Sequence, residues 1–290
     1  MRREGLVGLL ALLAGLATTP ALAEPVCGQT ERMTQLQAEW LRPRGGLMIA
    51  AHRAGHLKAP ENSLAAVEEA VEAGADLIEI DVKVSADGVP FLMHDQTVAR
   101  TTGGAGAAES LTYAQVRALR LADGSPPPTL LEALRSACGR VMVDLDLKTD
   151  RVAPVVAVVE GLGMTDQVLF FDSDSAVLAQ VRGLAPDAEV MPRVSRPDGL
   201  SEAVQGLAPV RVVHGDTDSL TPPLRSEIRT LGARVWVNSL GQVDAAVAAD
   251  TPEVCSRLGA LLDLDANIIQ TDRPSDLRRA LSSCRLGPKP

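Results

Sequence analysis

The sequence predicts an α/β protein built on a (β/α)8 TIM barrel. Eight short runs of apolar and β-branched residues alternate with amphipathic segments, and eight parallel strands close a barrel of this type. The predicted strands are residues 47–51, 77–82, 141–147, 167–171, 189–193, 210–213, 234–237 and 267–271. The helical segments between them include residues 63–73, 129–137, 153–160, 223–230, 253–262 and 275–283. This alternation predicts helices packed outside a parallel sheet.

A ninth run, residues 89–93, interrupts the alternation. Only Ala86, Asp87 and Gly88 lie between it and residues 77–85, whereas a parallel crossover needs about a dozen residues or more. Asp-Gly is a hairpin signal, so we expect an antiparallel β-hairpin over the C-terminal mouth of the barrel after strand 2. The hairpin would return His94 towards that mouth. An ordinary edge hairpin with a surface histidine is the alternative.

The first 23 residues resemble a secretory signal peptide. Arg2 and Arg3 precede an apolar stretch over residues 6–17, and Ala21-Leu22-Ala23 offers a cleavage site. The stretch is shorter than the roughly 20 apolar residues that a membrane-spanning helix needs. We therefore expect residues 24–290 to form a single domain without stable membrane insertion, exported to the periplasm or secreted.

The charge of the chain limits the kinds of binding partner, and its cysteines could form disulfides in an oxidising compartment. The net charge of −9 disfavours nucleic acid as a partner and leaves the oligomeric state open. In an oxidising compartment the four cysteines could form two disulfides in three ways. Cys27 and Cys284 lie near the two ends of a chain whose barrel closes on itself, so we expect these two to pair.

Two predicted strands carry carboxylates at alternate positions. Glu79 and Asp81 share one face of the second strand, and Asp144 and Asp146 share one face of the third. The aliphatic residues on the opposite faces belong under the helices. The carboxylates should therefore point into the barrel at the strands' C-terminal ends, where active sites of this fold lie.

Buried carboxylates need positive charge nearby. Arg53 and Lys148 could pair with them in a purely structural network. A hard cation is the other candidate, because three carboxylates without cysteine or clustered histidine suit Mg²⁺ or Ca²⁺ better than Zn²⁺. Arg53 and Lys148 could instead donate hydrogen bonds to a phosphate group.

All four histidines fall at predicted positions around the barrel mouth. His52 and His56 follow the first strand, His94 follows the hairpin and His214 follows the sixth strand. Histidine transfers protons near neutral pH, so His52 and His94 beside the acids suggest a general acid and a general base around a phosphate. We interpret His56 and His214 as rim residues.

A series of ordered motifs resembles the glycerophosphodiester phosphodiesterases of the phospholipase C-like phosphodiesterase superfamily. The resemblance covers nearly all of residues 24–290. The matching motifs are His52-Arg53-Ala54-Gly55, Pro60-Glu61-Asn62-Ser63, Gly74-Ala75-Asp76, Glu79-Ile80-Asp81-Val82, Asp87-Gly88, His94-Asp95, Arg100-Thr101-Thr102, Pro128-Thr129-Leu130, Asp146-Leu147-Lys148, Trp236-Val237-Asn238 and Ile268-Ile269-Gln270-Thr271-Asp272.

The resemblance implies hydrolysis of a small-molecule glycerophosphodiester to an alcohol and glycerol 3-phosphate. It implies that His52 and His94 are the catalytic acid–base pair. It also implies that Glu79, Asp81 and Asp146 bind a divalent metal ion, Mg²⁺ or Ca²⁺.

The same resemblance implies a set of substrate-binding residues. Arg53 and Lys148 would hold the phosphate, Asn62 would support the first-strand loop, and Trp236 would form a wall of the substrate pocket. A plain helix N-cap is the alternative for Asn62, and barrel packing is the alternative for Trp236. For Glu61 two interpretations stay open, a cap of the following helix and a role in the site.

Two positions and one segment depart from the family pattern. Ala54 replaces the usual glycine in the turn after the first strand, and Asp146 replaces a usual glutamate at the third metal ligand. The segment 103–127 is shorter than usual and poor in aromatic residues. The departures concern the turn, the metal affinity and the choice of substrate.

Two other functions stay open. A lysophospholipid or phosphoinositide-like phosphodiesterase would need an apolar path for an acyl chain, and three Phe, two Trp and one Tyr provide few aromatic anchors. A non-catalytic exported phosphodiester-binding protein would have no use for a matched acid–base pair.

Overall fold

The computed structural model describes residues 27–286, and within them the predicted barrel is present. The predicted signal peptide, residues 1–23, lies outside the described residues. The strands are β1 (Met48–Ala51), β2 (Leu77–Val84), β3 (Pro90–Leu92), β4 (Met142–Leu147), β5 (Val168–Asp172), β6 (Glu189–Val194), β7 (Val212–Gly215), β8 (Arg234–Asn238) and β9 (Ile268–Thr271).

Helices lie between these strands and before the first of them. The α-helices are α1 (Glu31–Trp40), α2 (Leu64–Glu72), α3 (Ala99–Thr102), α4 (Tyr113–Ala118), α5 (Leu130–Ala137), α6 (Val152–Gly161), α7 (Ser175–Leu184), α8 (Leu200–Ala203), α9 (Pro222–Leu231), α10 (Gln242–Ala249), α11 (Val254–Leu262) and α12 (Pro274–Ser283). Short 3-10 turns occupy His52–Ala54 and Ala108–Ser110. No helix within residues 27–286 is long and apolar enough to cross a membrane.

The barrel closes through eight parallel strands. Seven parallel pairings run from β2 through β4 to β9 and on to β1, and β1 then pairs with β2. β3 is the exception, because it lies antiparallel to the C-terminal extension of β2, with Val82 opposite Leu92. The hairpin predicted from the Asp-Gly pair is therefore confirmed. Gly88 sits in its turn at a φ of 93°, a conformation that favours glycine.

Strand periodicity separates an aliphatic outer face from the barrel interior. Ile78, Ile80, Val143 and Leu145 are fully buried beneath the outer helices, as the sequence pattern predicted. One layer of the interior is apolar on every barrel strand. The inward side chains there are Met48, Leu77, Met142, Leu169, Met191, Val212, Trp236 and Ile268, which we call the lower layer.

Helix α1, which the sequence pattern did not reveal, seals the lower end of the barrel. Thr30 begins it, since its side chain accepts a hydrogen bond from the Met33 amide. Met33, Leu36 and Trp40 then pack against the lower layer and are almost completely buried. The N-terminal segment therefore completes the core as well as preceding the barrel.

The predicted Cys27–Cys284 disulfide is wrong. Cys27 pairs with Cys138 at the end of α5, and Cys255 in α11 pairs with Cys284 at the end of α12. The two cysteines lie in different parts of the fold. Cys27 leads into α1 below the barrel, whereas Cys284 follows α12, which packs against α11 on the outer shell. Nearness of the two chain ends in a closed barrel did not bring these two cysteines together.

Candidate active site

Three carboxylates meet at the C-terminal mouth of the barrel. Glu79 and Asp81 lie on β2, and Asp146 lies on the neighbouring β4, directly opposite Asp81 in the register. One oxygen from each of the three lies within 4.8 Å of the others. Glu79 and Asp81 are only 2% and 1% exposed. The structure thus brings together the three residues that the sequence predicted as metal ligands.

The electrostatics of this cluster are unfavourable without a cation. Burial raises the pKa of Glu79 well above its usual value, and the charges of Asp81 and Asp146 raise it further. Burial likewise raises the pKa of Asp146 to about 6. Within residues 27–286, Glu79 Oε1 is a buried oxygen with no hydrogen-bond partner. An all-oxygen donor set with an unsatisfied oxygen fits a hard divalent cation.

Both basic residues predicted at the site lie beside the carboxylates. Lys148 Nζ is 2.6 Å from Asp146 Oδ2 and 3.5 Å from Asp81 Oδ1. Arg53 Nε is 3.6 Å from Asp81 Oδ2, and the Arg53 amide donates to Glu79 Oε2 at 2.8 Å. The ion-pair network that the sequence left open is therefore present, yet it leaves Glu79 Oε1 unsatisfied. The network and a cation are compatible.

Asn62 positions Asp81 rather than capping a helix. Its Nδ2 donates to Asp81 Oδ2 at 2.7 Å, and its Oδ1 accepts from the Asp81 amide at 3.0 Å. The plain N-cap alternative is wrong, because Ser63 caps α2 by accepting from the Ala66 amide. Asn62 is itself 3% exposed and left-handed, with a φ of 56°.

A left-handed turn positions His52 after β1. Arg53, Ala54 and Gly55 follow with φ values of 48°, 63° and 75°. Ala54 therefore occupies a conformation that favours glycine, the residue that the resemblance predicts at this position. His52 Nδ1 lies 2.6 Å from Asp272 Oδ1, and His52 Nε2 lies 4.0 Å from Glu79 Oε2. His52 thus faces the carboxylate cluster.

His94 is held by a chain of ion pairs. His94 Nδ1 lies 2.7 Å from Asp95 Oδ1, and Arg100 binds both oxygens of Asp95. Arg100 also binds Glu61, which in turn accepts from Arg53. The Arg100 guanidinium holds the pKa of Asp95 well below its usual range. Glu61 is therefore a link between two arginines, and its interpretation as a helix cap is wrong.

Sequence reasoning gave no role to Asp95 or Asp272, although both lay within the matching motifs. Each accepts from the Nδ1 of a predicted catalytic histidine. Asp272 directly follows β9, which pairs with β1, so its position at a strand end beside His52 was the available signal. His56, predicted as a rim residue, also lies at the mouth, with Nε2 3.1 Å from Asp272 Oδ1.

His214 and Trp236 lie deeper than predicted. His214 is buried at 4% exposure, packs edge-on against Phe171, and has a pKa lowered to about 4 by burial. It is therefore an interior residue rather than a rim residue. Trp236 is fully buried in the lower layer, where its Nε1 donates to Gln270. Trp236 therefore packs inside the barrel and does not form a wall of the substrate pocket.

The comparison with protein families matches the part of the chain that carries this site. Residues 52–182 match the Glycerophosphoryl diester phosphodiesterase family. A curated relative from Rattus norvegicus, Glycerophosphodiester phosphodiesterase 1, is 43% identical over 118 residues, which are 37% of this chain and 36% of the relative. A probable glycerophosphodiester phosphodiesterase 2 from Mycobacterium tuberculosis is 36% identical over 133 residues, covering 45% of this chain and 50% of the relative. The chain thus spans half or less of the length of these two relatives.

Solved structures share the fold over most of this chain. A glycerophosphodiester phosphodiesterase from Agrobacterium tumefaciens has a TM-score of 0.67 at 27% identity, covering 80% of this chain and 99% of that one. A phosphodiesterase from Oleispira antarctica, solved with the product sn-glycerol-3-phosphate, has a TM-score of 0.69 at 24% identity, covering 81% and 96%. The matched segment includes His52, His94 and all three clustered carboxylates, and the family model, the curated relatives and the solved structures all support the glycerophosphoryl diester phosphodiesterase family for this chain.

Proposed function

We propose that this chain is a metal-dependent phosphodiesterase that hydrolyses a glycerophosphodiester to an alcohol and glycerol 3-phosphate. The observation that carries the proposal is the pairing of each mouth histidine with a carboxylate through Nδ1, at 2.6 Å for His52 and 2.7 Å for His94. A carboxylate at Nδ1 leaves Nε2 as the atom that exchanges protons with a substrate. The two histidines therefore form an oriented acid–base pair.

The residues around the pair suit a phosphodiester. Arg53 and Lys148 supply hydrogen-bond donors for the phosphoryl oxygens, and both are only partly buried, so a ligand can reach them. Glu79, Asp81 and Asp146 would hold Mg²⁺ or Ca²⁺. A divalent cation held there would supply charge for the phosphoryl oxygens and acidify a hydroxyl group of the substrate.

The substrate's own neighbouring hydroxyl is the proposed nucleophile. It is already bound next to phosphorus, and such positioning can lower a barrier by about 7–11 kcal/mol in favourable cases. One histidine takes the hydroxyl proton as the new P–O bond forms, and the other protonates the departing alcohol. Water then opens the resulting cyclic phosphate, with the two histidines exchanging roles to leave glycerol 3-phosphate.

Two observations support a glycerol head group. The family model that matches residues 52–182 and the curated relatives carry the name glycerophosphodiester phosphodiesterase, and the Oleispira antarctica barrel was solved with sn-glycerol-3-phosphate. A relative from Homo sapiens, a glycerophosphoinositol inositolphosphodiesterase, is 41% identical over 101 residues. Glycerophosphoinositol therefore belongs in any substrate panel alongside glycerophosphocholine.

The decisive experiment combines a metal panel with a substrate panel. We expect chelation to abolish release of glycerol 3-phosphate and Mg²⁺ or Ca²⁺ to restore it. His52→Ala and His94→Ala should each lower the rate by about 10²- to 10⁴-fold, the range for a lost general acid or base. Substrate binding without turnover under all metals would instead support the phosphodiester-binding alternative.

A substrate analogue tests the nucleophile separately. A deoxy diester without the neighbouring hydroxyl should be hydrolysed far more slowly than its parent. Comparable rates would mean that water attacks phosphorus directly, and the phosphodiesterase proposal would survive that result.

We also propose that the protein is exported. The signal-like residues 1–23 motivate this, and the Cys27–Cys138 and Cys255–Cys284 disulfides support an oxidising compartment. Expression of the full chain should yield a product outside the cytoplasm whose N-terminus is Glu24. A cytoplasmic product that retains Met1 would contradict export.

A further inference from the structure

A second group of possible metal ligands lies beside the carboxylate cluster. One ring nitrogen of His52, one ring nitrogen of His56 and one oxygen of Asp272 all lie within 4.8 Å of one another. Both histidines contact the same oxygen, Asp272 Oδ1, at 2.6 Å and 3.1 Å. All three residues are partly exposed, so an ion can reach them from the barrel mouth. The mechanism proposed above uses His52 and Asp272 but gives His56 no task.

The donor set differs in kind from that of the carboxylate cluster. Two imidazoles and one carboxylate suit Zn²⁺, whereas three carboxylates suit Mg²⁺ or Ca²⁺. Neighbouring ligand atoms in a tetrahedral zinc site are separated by about 3.3 Å, given a zinc–nitrogen distance of about 2.0–2.1 Å. The present separations of 2.6 Å and 3.1 Å need to open by less than about 1 Å.

The backbone around these ligands is built to hold them. The left-handed turn through Arg53, Ala54 and Gly55 brings His56 back beside His52. The Asp272 amide donates to Asp244 Oδ2 at 2.8 Å, and the neighbouring Thr271 hydroxyl donates to Asp244 Oδ1 at 2.7 Å. Such partners behind a ligand fix its orientation.

We propose that His52, His56 and Asp272 form a second, inhibitory site for Zn²⁺. Zinc on Nδ1 of His52 would leave a proton on Nε2, so the imidazole could no longer accept a proton there. The site itself stands independently, whereas its inhibitory effect rests on the proposed acid–base role of His52. Zinc would therefore stop turnover without displacing the cation from Glu79, Asp81 and Asp146.

The test measures zinc binding and zinc inhibition in parallel on the protein loaded with saturating Mg²⁺. Equilibrium dialysis should find one zinc ion per chain, and buffered free zinc should inhibit hydrolysis of glycerophosphocholine. His56→Gln should keep zinc-free turnover close to wild type. It should weaken both zinc binding and inhibition by about tenfold or more, since even residues behind metal ligands change affinity by about 10- to 100-fold.

Lys58→Gln is the matched control, because Lys58 lies exposed on the same loop and its replacement removes a positive charge. It should leave zinc binding and inhibition unchanged. Equal zinc inhibition of wild type and His56→Gln, relieved by raising Mg²⁺, would overturn the proposal, because zinc would then be competing at the carboxylate cluster. Zinc bound through His56 by a protein without turnover would leave the site intact and refute only the proposed function.

Discussion

The two layers of the barrel interior differ sharply in chemistry although the same strands build them. In the lower layer every inward side chain is apolar, and Trp236 is the largest of them. Two residues further along, six of the eight strands turn a polar side chain inward. These side chains, which we call the upper layer, are Glu79, Asp144, Arg193, His214, Asn238 and Gln270.

The two layers also differ in how well their polar atoms are satisfied. In the upper layer, Glu79 Oε1, Asp144 Oδ1 and His214 Nδ1 are buried without a hydrogen-bond partner among the described residues. In the lower layer, the indole of Trp236 has its partner in Gln270. Along these strands, apolar packing occupies the lower layer, and buried polar atoms without a partner lie in the layer two residues above it.

Glu79→Gln should show the largest effect, because it removes a charge from the upper layer without changing side-chain size. Loss of a metal ligand forfeits several kcal/mol of charge stabilisation, so kcat/KM with saturating Mg²⁺ should fall by about 10³-fold or more. The free energy of unfolding in chelator should not fall, since a buried charge beside Asp81 and Asp146 has been removed.

Urea unfolding in chelator and steady-state kinetics measure the two quantities. Glu72→Gln is the control, since Glu72 is exposed at the end of α2 and should change neither. A clear loss of stability in Glu79→Gln would favour the purely structural ion-pair network over a metal site.

Trp236→Ala should produce the reverse pattern, because it removes the largest side chain of the lower layer. Truncation of a buried tryptophan costs about 3–5 kcal/mol of unfolding free energy. Activity per folded molecule should stay in the range of wild type, since Glu79 keeps its bond from Gln270. Trp236→Phe should cost less, about 1–3 kcal/mol, the price of an unpaired Gln270 oxygen. If the activity per folded molecule fell together with the unfolding free energy, the lower layer would be needed for activity as well as for stability.

His214→Gln tests the upper layer through the pH dependence of the unfolding free energy. The pKa of His214 is lowered to about 4 by burial, below the ordinary value of about 6.5. Between these values the unfolded chain binds the proton and the folded chain does not, so stability falls as pH falls. Between pH 7 and 5 the wild type should lose about 2 kcal/mol more than His214→Gln. Equal slopes of unfolding free energy against pH would mean that His214 is protonated in the folded state.

The sequence predicted the features that follow from local periodicity. Alternation along β2 and β4 assigned the inward carboxylates, and the Asp-Gly pair assigned the hairpin that carries His94. The sequence did not predict the features that depend on closure of the barrel. The contact between His52 and Asp272 joins residues 220 positions apart and exists only because β9 pairs with β1.

The prediction of the disulfide was wrong, and α1 was not predicted, for a related reason. Which cysteines meet depends on which helices are neighbours, such as α11 and α12, and no local pattern encodes that packing. The seal formed by α1 depends on an apolar lower layer that is visible only when all eight strands are assembled. The burial of His214 likewise depends on neighbours from other strands, Phe171 and Asn238.

The smallest expected effect compares two fully buried alanines, Ala54 in the strained turn of the mouth and Ala70 in α2. Replacing a helical alanine by glycine costs about 1 kcal/mol, so Ala70→Gly should destabilise the protein by at least that amount. Ala54 has a φ of 63°, where a side chain costs about 1–2 kcal/mol and glycine costs nothing, so relief of strain should offset the other losses in Ala54→Gly. Urea unfolding in chelator should therefore find Ala54→Gly more stable than Ala70→Gly by about 1–2 kcal/mol. Equal losses would mean that the turn holding His52 is not strained, and that the mouth of the barrel is as relaxed as its outer shell.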